Sequence, residues 1–248
     1  ILAFSGGADS SVVAAIAAAE LGERAVAVTS IAPTYPEWDA RDAERVVEWI
    51  GIEHRTLATG ELGTAAVRTN PPDRCYHCKR QRLREFDAVR RDLGFAKLLD
   101  GTNADDGDAH RPGMRAVEEF GGHVASPLAE AGFGTAEIRD LAERLGLPTA
   151  HKPSSSCLAT RIPYGTPITD AALERIERAE AYLHSLGFDV VRVRDYGDTA
   201  RIEVAPERVT DAVGRREEIA TILTDFGYTF VTLDLEGYRT GSMDAARS

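Results

Sequence analysis

Over the first 150 residues, short apolar runs alternate with Ala-rich or amphipathic stretches that end at a glycine. Ile1 to Phe4 is apolar and runs into a glycine turn, which predicts a buried strand. Ser10 to Leu21 is Ala-rich, stops at Gly22 and predicts a buried helix. Ala25 to Ile31 predicts a second core strand. Glu37 to Ile50 predicts a helix with Val46, Val47 and Ile50 on one face and Gly51 at its end. Ile52 to Leu57 predicts a third strand, and a basic helix is expected after Cys78, to about Leu93. Lys97 to Leu99 leads as a strand into the turn Asp100-Gly101-Thr102-Asn103. Thr135 to Leu145 predicts another helix, with Thr135 as N-cap and Gly146 behind it. Such strand–helix alternation predicts an α/β fold, a parallel sheet with helices on both faces, and these sheets bind ligands at the carboxyl ends of their strands.

The pattern changes after Pro148. His151 to Gly165 is rich in Ser, Pro and Gly and reads as a loop. Thr169 to Leu186 is an amphipathic helix closed by Gly187. Val190 to Asp195 and Ala200 to Ala205 alternate around Tyr196-Gly197-Asp198, as a hairpin does. Pro206 to Phe226 reads as helical, and Tyr228 to Leu235 as a last strand. The expected organisation is an α/β domain over residues 1–150, a cysteine-bearing loop over 151–165, and a smaller α+β domain over 166–248.

Composition narrows the class. The 248 residues are 43% hydrophobic and 28% charged, which excludes a disordered or collagen-like chain. The longest purely apolar run, Val12 to Ala19, is far short of the roughly 20 residues of a membrane span. A net charge of −11 argues against a face that grips long nucleic acid. All but three of the 29 basic residues are arginine, the exceptions being Lys79, Lys97 and Lys152. Three cysteines is an odd count and no stretch has the order of a signal peptide, so a reducing cytoplasm and thiols used for chemistry or metal are expected.

The sharpest motif is Ser5-Gly6-Gly7-Ala8-Asp9-Ser10, set between a core strand and a helix N-terminus. Two glycines let the backbone approach an anion. The helix-start N–H groups and the Ser5 and Ser10 hydroxyls can donate to phosphate oxygens. Asp9 can orient Mg²⁺ or cap the helix. No lysine follows a glycine, so the loop is expected to hold pyrophosphate without the lysine of a Walker motif. The bland alternative is a glycine turn joining strand to helix. SGGADS after an apolar strand resembles the PP-loop of the ATP pyrophosphatases. That likeness implies adenylation: ATP activates a carboxylate or carbonyl oxygen as an AMP ester, pyrophosphate leaves, and a nucleophile displaces AMP.

Cys75-Tyr76-His77-Cys78 is a C-x-x-C at a helix start, and Cys157 follows in the Ser/Pro-rich loop. Three thiolates can hold three corners of a [4Fe–4S] cluster and leave one iron open for sulfide. Spacing alone leaves open three unrelated thiols, a redox pair, or a zinc site completed by a histidine; His77 is poorly placed for that and His151 conceivable. Longer strings add to the picture: RCYHCK (74–79), DGTNADD (100–106), HRPGMRA (110–116), SPL (126–128) and KPSSSCLATRIPYG (152–165). In this order they resemble the LarE family, ATP-dependent sulfur transferases that build the nickel-pincer nucleotide. The likeness runs over about residues 1–165, and the C-terminal layout is similar.

The resemblance implies a small-molecule nucleotide substrate, pyridinium-3,5-biscarboxylic acid mononucleotide, whose ring carboxylate is adenylated and converted to a thiocarboxylate. In single-cysteine members the residue matching Cys157 gives up its own sulfur. Cys75 and Cys78 make this chain look like the three-cysteine branch, which implies a [4Fe–4S]-bound sulfide, a sulfide or other sulfur donor, and no sacrifice of Cys157. Homo-oligomers are also expected from the family, without a nucleic-acid or membrane partner. A tRNA thiolase of the same superfamily is the alternative, and it would need a basic RNA-binding surface.

Other candidates follow from position. Arg192 and Arg194, two apart on a predicted strand, face the same way and can bind a phosphate; the family's phosphate-binding arginines support that, and a solvated strand face is the alternative. Glu180, Glu203 and Asp211 fall near the family's second-domain metal-binding carboxylates, with exposed charges at least as plain a reading. Gly101 and Asp105 lie at a strand end where nucleotide or Mg²⁺ is expected, Asp105 alternatively ending the turn. Ser30 ends the second strand and can contact adenine through its backbone, or simply cap the strand. Arg111 and Arg115 rank low as phosphate contacts, and His54, His123 and His184 read as ordinary residues.

Overall fold

A computed structural model describes residues 1–107 and 113–243. The chain divides into two units, Ile1–Val67 with Pro71–Ser155, and Arg68–Asn70 with Ser156–Ser248. The first holds β1 (Leu2–Ala3), α1 (Ala8–Leu21), β2 (Val26–Ile31), α2 (Glu37–Ile50), β3 (Glu53–Ala58), α3 (Ala65–Arg68) and α4 (Arg74–Asp92). It continues with β4 (Leu98–Leu99), α5 (Met114–Phe120), β5 (Val124–Ala125), α6 (Pro127–Glu130) and α7 (Thr135–Arg144).

Its five strands are all parallel, in the order β3-β2-β1-β4-β5. Period-2 alternation feeds two cores, one on each face of the sheet. Leu2, Phe4, Ala25 and Ala27 pack with Val12, Val13, Val46, Val47 and Ile138 of α1, α2 and α7. Ile1, Val26, Val28 and Leu98 pack with Tyr76, Leu83 and Phe86 of α4. The order also defines where a ligand belongs. From β1 the chain moves outward through β2 to β3, then returns to lay β4 on the other side of β1. That reversal opens a crevice at the carboxyl ends of β1 and β4.

The second unit contains α8 (Asp170–Ser185), β6 (Val191–Asp195), β7 (Thr199–Val204), α9 (Val209–Gly214), α10 (Arg216–Asp225) and β8 (Phe230–Leu233). β6 and β7 form an antiparallel hairpin and β8 joins β7 in parallel. Gly197 takes the positive φ (84°) that the hairpin turn needs. Thr169 caps α8, accepting the Ala172 amide at 3.1 Å. Leu183, Phe188, Val193, Ile202, Leu223 and Tyr228 form this unit's own core.

Several local expectations change. α4 starts at Arg74, so both cysteines of C-x-x-C lie inside its first turns. Gly134 is the N-cap of α7, and Thr135 its first helical residue. Residues 206–226 form a 3₁₀ turn and two helices that break at Arg215. β5, α3 and α6 are two to four residues long, too short for a hydrophobic period to register. Arg111 lies outside the described residues.

Candidate active site

The loop after β1 is shaped by what it must fit under. Gly6 has φ +67°, and a Cβ there would lie 2.9 Å from both Cα and Cβ of Ala43 in α2, so only glycine is accommodated. Gly7, extended, is the N-cap of α1. Ser10 closes the loop: its Oγ accepts from the Ser5 amide at 3.3 Å, shares a proton with Ser5 Oγ at 3.1 Å and donates to Gly7 O at 3.1 Å. Ser11 Oγ also donates to Gly7 O, at 2.7 Å. The Tyr35 hydroxyl holds the loop from outside by donating to Ser5 O at 2.9 Å. The first-turn amides of α1 thus stand behind a pre-shaped glycine loop, the arrangement that binds phosphate.

The turn after β4 meets this loop. A Cβ on Gly101 would lie 3.0 Å from the Ser10 amide nitrogen, so glycine again permits the approach. Asn103 Nδ2 donates to Asp9 Oδ2 at 3.1 Å, tying the turn to the first turn of α1. Lys79 of α4 arrives here too, with Nζ 3.2 Å from Asp100 Oδ2 and 3.3 Å from Thr102 Oγ1. Burial alone would raise the Asp100 carboxyl. The Lys79 ammonium and hydrogen bonds from Ser126 and Thr102 outweigh it and hold the group below the ordinary carboxylate range. The loop itself has no lysine, yet Lys79 of α4 reaches the neighbouring turn.

Two other candidates have defined places. Asp105 caps α7: its Oδ2 accepts the Thr135 amide at 2.7 Å, and that bond leads the causes that lower its pKa. Ser30 is buried, with Oγ 2.5 Å from Thr59 Oγ1. Phe4 N bonds Val28 O and Thr59 N bonds Ile31 O. By ladder alternation, the Ser30 main-chain groups therefore face the β1 side, where the chain has already turned off at Ser5.

Cys75, Cys78 and Cys157 are all free and half-buried. Cys75 and Cys78, three apart, share one face at the start of the 19-residue α4. Cys78 Sγ lies 3.8 Å from Glu61 Oε1, and Arg74 Nη2 lies 3.9 Å from Cys75 Sγ. His77 turns elsewhere, 3.2 Å from Asp73. Cys157 belongs to the second unit. Among the described residues no three His, Cys, Asp or Glu side chains gather around a single ion.

In the second unit, charges expected on the surface are inside. Arg192 and Arg194 are 8% and 5% exposed, and Glu180 and Glu203 are fully buried. A solvated strand face and exposed carboxylates are therefore corrected for these four, whereas Asp211 is exposed and paired with Arg208 at 2.7 Å. The reason is pairing, which lets charge enter a core. Arg194 Nε and Nη2 donate to Glu203 Oε2 at 3.0 and 2.6 Å. Arg161 Nε and Nη2 donate to Glu180 at 2.9 and 2.7 Å. The Arg192 guanidinium sits 5.2 Å over the Tyr238 ring. Burial, and then the Arg161 charge, lower its pKa. Burial would raise Glu180, but Arg161, then Arg192 and the Val193 amide, hold it low. Arg201 also reaches the Glu203 carboxylate, with Nη2 2.9 Å from Oε1.

The fold, its switch point and the glycine loop define a PP-loop enzyme that uses ATP. Consistent with that class, residues 2–75 match the asparagine synthase family model. Beyond the loop, the chain is 40% identical over 246 residues to an uncharacterized Synechocystis protein, covering 98% of this chain and 91% of that one. It is 34% identical over 244 residues to the pyridinium-3,5-bisthiocarboxylic acid mononucleotide synthase of Lactiplantibacillus plantarum, covering 98% of this chain and 88% of the synthase. A Methanocaldococcus jannaschii protein, also uncharacterized, is 30% identical over 97% of this chain and 90% of its own. The chain belongs to the family of that synthase, the LarE family. No helix among the described residues is long and apolar enough to cross a membrane.

Proposed function

We propose that the chain is an ATP-dependent sulfur transferase that adenylates a carboxylate of pyridinium-3,5-biscarboxylic acid mononucleotide and turns it into a thiocarboxylate. The observation that carries this reading is the 34% identity, end to end, with the bisthiocarboxylic acid mononucleotide synthase. A carboxylate is a poor electrophile because it is already anionic. Esterification to AMP removes the charge and supplies a leaving group, after which a sulfur nucleophile can attack. Ser5, Gly6, Gly7 and Ser10 would hold the departing pyrophosphate, and Asp9 would orient Mg²⁺. Gly101 would admit the nucleotide beside α1, and Ser30 would meet adenine through its backbone. Arg192 and Arg194 would take the substrate phosphate, whose oxygens match the planar guanidinium fork. Asp105, whose Oδ2 holds the Thr135 amide, would order ATP or Mg²⁺ through its other oxygen.

The donor chemistry fits a [4Fe–4S] centre: two half-buried thiols share one face of a helix start, and a third free thiol lies at Cys157. Cys75, Cys78 and Cys157 would hold it. Such a centre would supply the sulfide, and Cys157 would keep its own sulfur. The test is anaerobic purification with metal analysis and an assay for AMP. About four irons per chain, lost on changing any one cysteine to Ala, with AMP formed only when the pyridinium nucleotide is present, is the expected result. AMP formation without iron would leave the adenylating enzyme and remove the cluster.

A further inference from the structure

Arg161 is 1% exposed, which places it among the largest fully buried side chains of the molecule. One edge of its guanidinium is bound to Glu180, and the Val193 amide fixes Glu180 in turn, at 2.8 Å. Its other nitrogen, Nη1, faces the turn that carries Cys157. It donates to Ser156 O at 2.7 Å, Ser156 Oγ at 2.8 Å, Cys157 O at 3.1 Å and Thr160 Oγ1 at 2.9 Å. The Cys157 carbonyl also receives the Thr160 amide at 3.0 Å and the Thr160 hydroxyl at 2.8 Å. Three donors converge on the main chain of one cysteine.

Stability alone is a weak reason for this construction, because a buried ion pair is often no more stable than apolar side chains of the same volume. Uniqueness is a stronger reason. A planar fork with fixed donor directions, anchored at one end, leaves the turn at the other end a single conformation. We propose that Arg161 is the positioning residue of the Cys157 thiol: anchored on Glu180, it clamps the Ser156–Thr160 turn and so fixes the direction of the Cys157 Cα–Cβ bond. This rests on the reading of Cys157 as a sulfur-handling thiol, and Arg161 itself touches no reacting atom. Transfer chemistry loses rate steeply when a reacting group is loosely held, which gives such a clamp its value.

The test isolates one thiol. A Cys75→Ser/Cys78→Ser chain retains Cys157 alone, and its alkylation by iodoacetamide is timed by mass spectrometry. Arg161→Lys keeps a cation beside Glu180 but loses the fork, and it raises the rate at least about tenfold by freeing the turn. Glu180→Gln leaves Arg161 facing the Ser156 and Cys157 carbonyls, and it raises the rate by less than about threefold. Equal rates in all three proteins overturn the proposal. So does equal acceleration by the two substitutions, which is what a merely stabilising ion pair produces. Should Arg161→Lys fail to fold, the unsubstituted protein decides by hydrogen exchange: amides of residues 158–161 exchange as slowly as those of α8 if clamped, and as fast as residues 152–155 if not. Iron is measured separately on the three-cysteine protein. Its absence contradicts the cluster, while the alkylation ratio still decides the clamp.

Discussion

The two units arrange their polar groups in opposite ways. The first uses backbone: glycines 6 and 101 clear space, and the first-turn amides of α1 supply the donors. The second uses side chains: arginines are buried by pairing with Glu180 and Glu203. A backbone site is cheap to desolvate but intolerant of any added atom. A guanidinium site is costly to desolvate and depends on each partner staying in place.

Removing a partner in the second unit should have the largest effect. Glu180→Ala leaves Arg161 buried and unpaired, and should cost about 3–5 kcal/mol. Calorimetry should show the second unit melting far below the first; unchanged melting would break the comparison. Next is Gly6→Ala, which forces a Cβ to 2.9 Å from Ala43 at positive φ and should cost roughly 1–3 kcal/mol. ATP-to-AMP turnover should fall at least about 100-fold, because the loop can no longer seat phosphate. Native turnover in this variant would mean that the loop does not carry the nucleotide.

Acid should act on both units together. Glu180 and Asp100 have folded pKa values below their ordinary values of 4.5 and 3.8. Their contribution is therefore complete above those ordinary values and is lost as pH falls through the lower folded values. Thermal stability from this source should be level from pH 8 to about 5 and drop steeply below about 4. Loss between pH 7 and 5 would point to other groups. The smallest effect belongs to the cap. Asp105→Ala removes the acceptor of the Thr135 amide and should lower Tm only slightly. The Mg²⁺ dependence of AMP formation should change, and an unaltered dependence would leave Asp105 with the cap alone.

What the chain disclosed beforehand follows the same division. The backbone site was legible because glycines, a preceding apolar run and a following Ala-rich helix are local, and α2 occupies the expected Glu37–Ile50. The side-chain site was not. Amphipathic patterning assigns Glu180 to a wet face, since its partner Arg161 is 19 positions away and on a different element. Lys79 escaped for the same reason: its relation to Asp100 arises only when α4 packs on the sheet. Asp105 reads as a metal or nucleotide residue because a carboxylate at a strand end suits either, and nothing local announces that it also holds α7.

The central claim is that Cys157 takes part in sulfur transfer without surrendering its own sulfur. Mass spectrometry of the peptide spanning Cys157, after many turnovers of anaerobic protein supplied with sulfide, tests this directly. An unchanged cysteine mass in protein that has formed several thiocarboxylates per chain is the predicted result. A peptide lighter by the elements of H₂S, with product capped at one per chain, would contradict it.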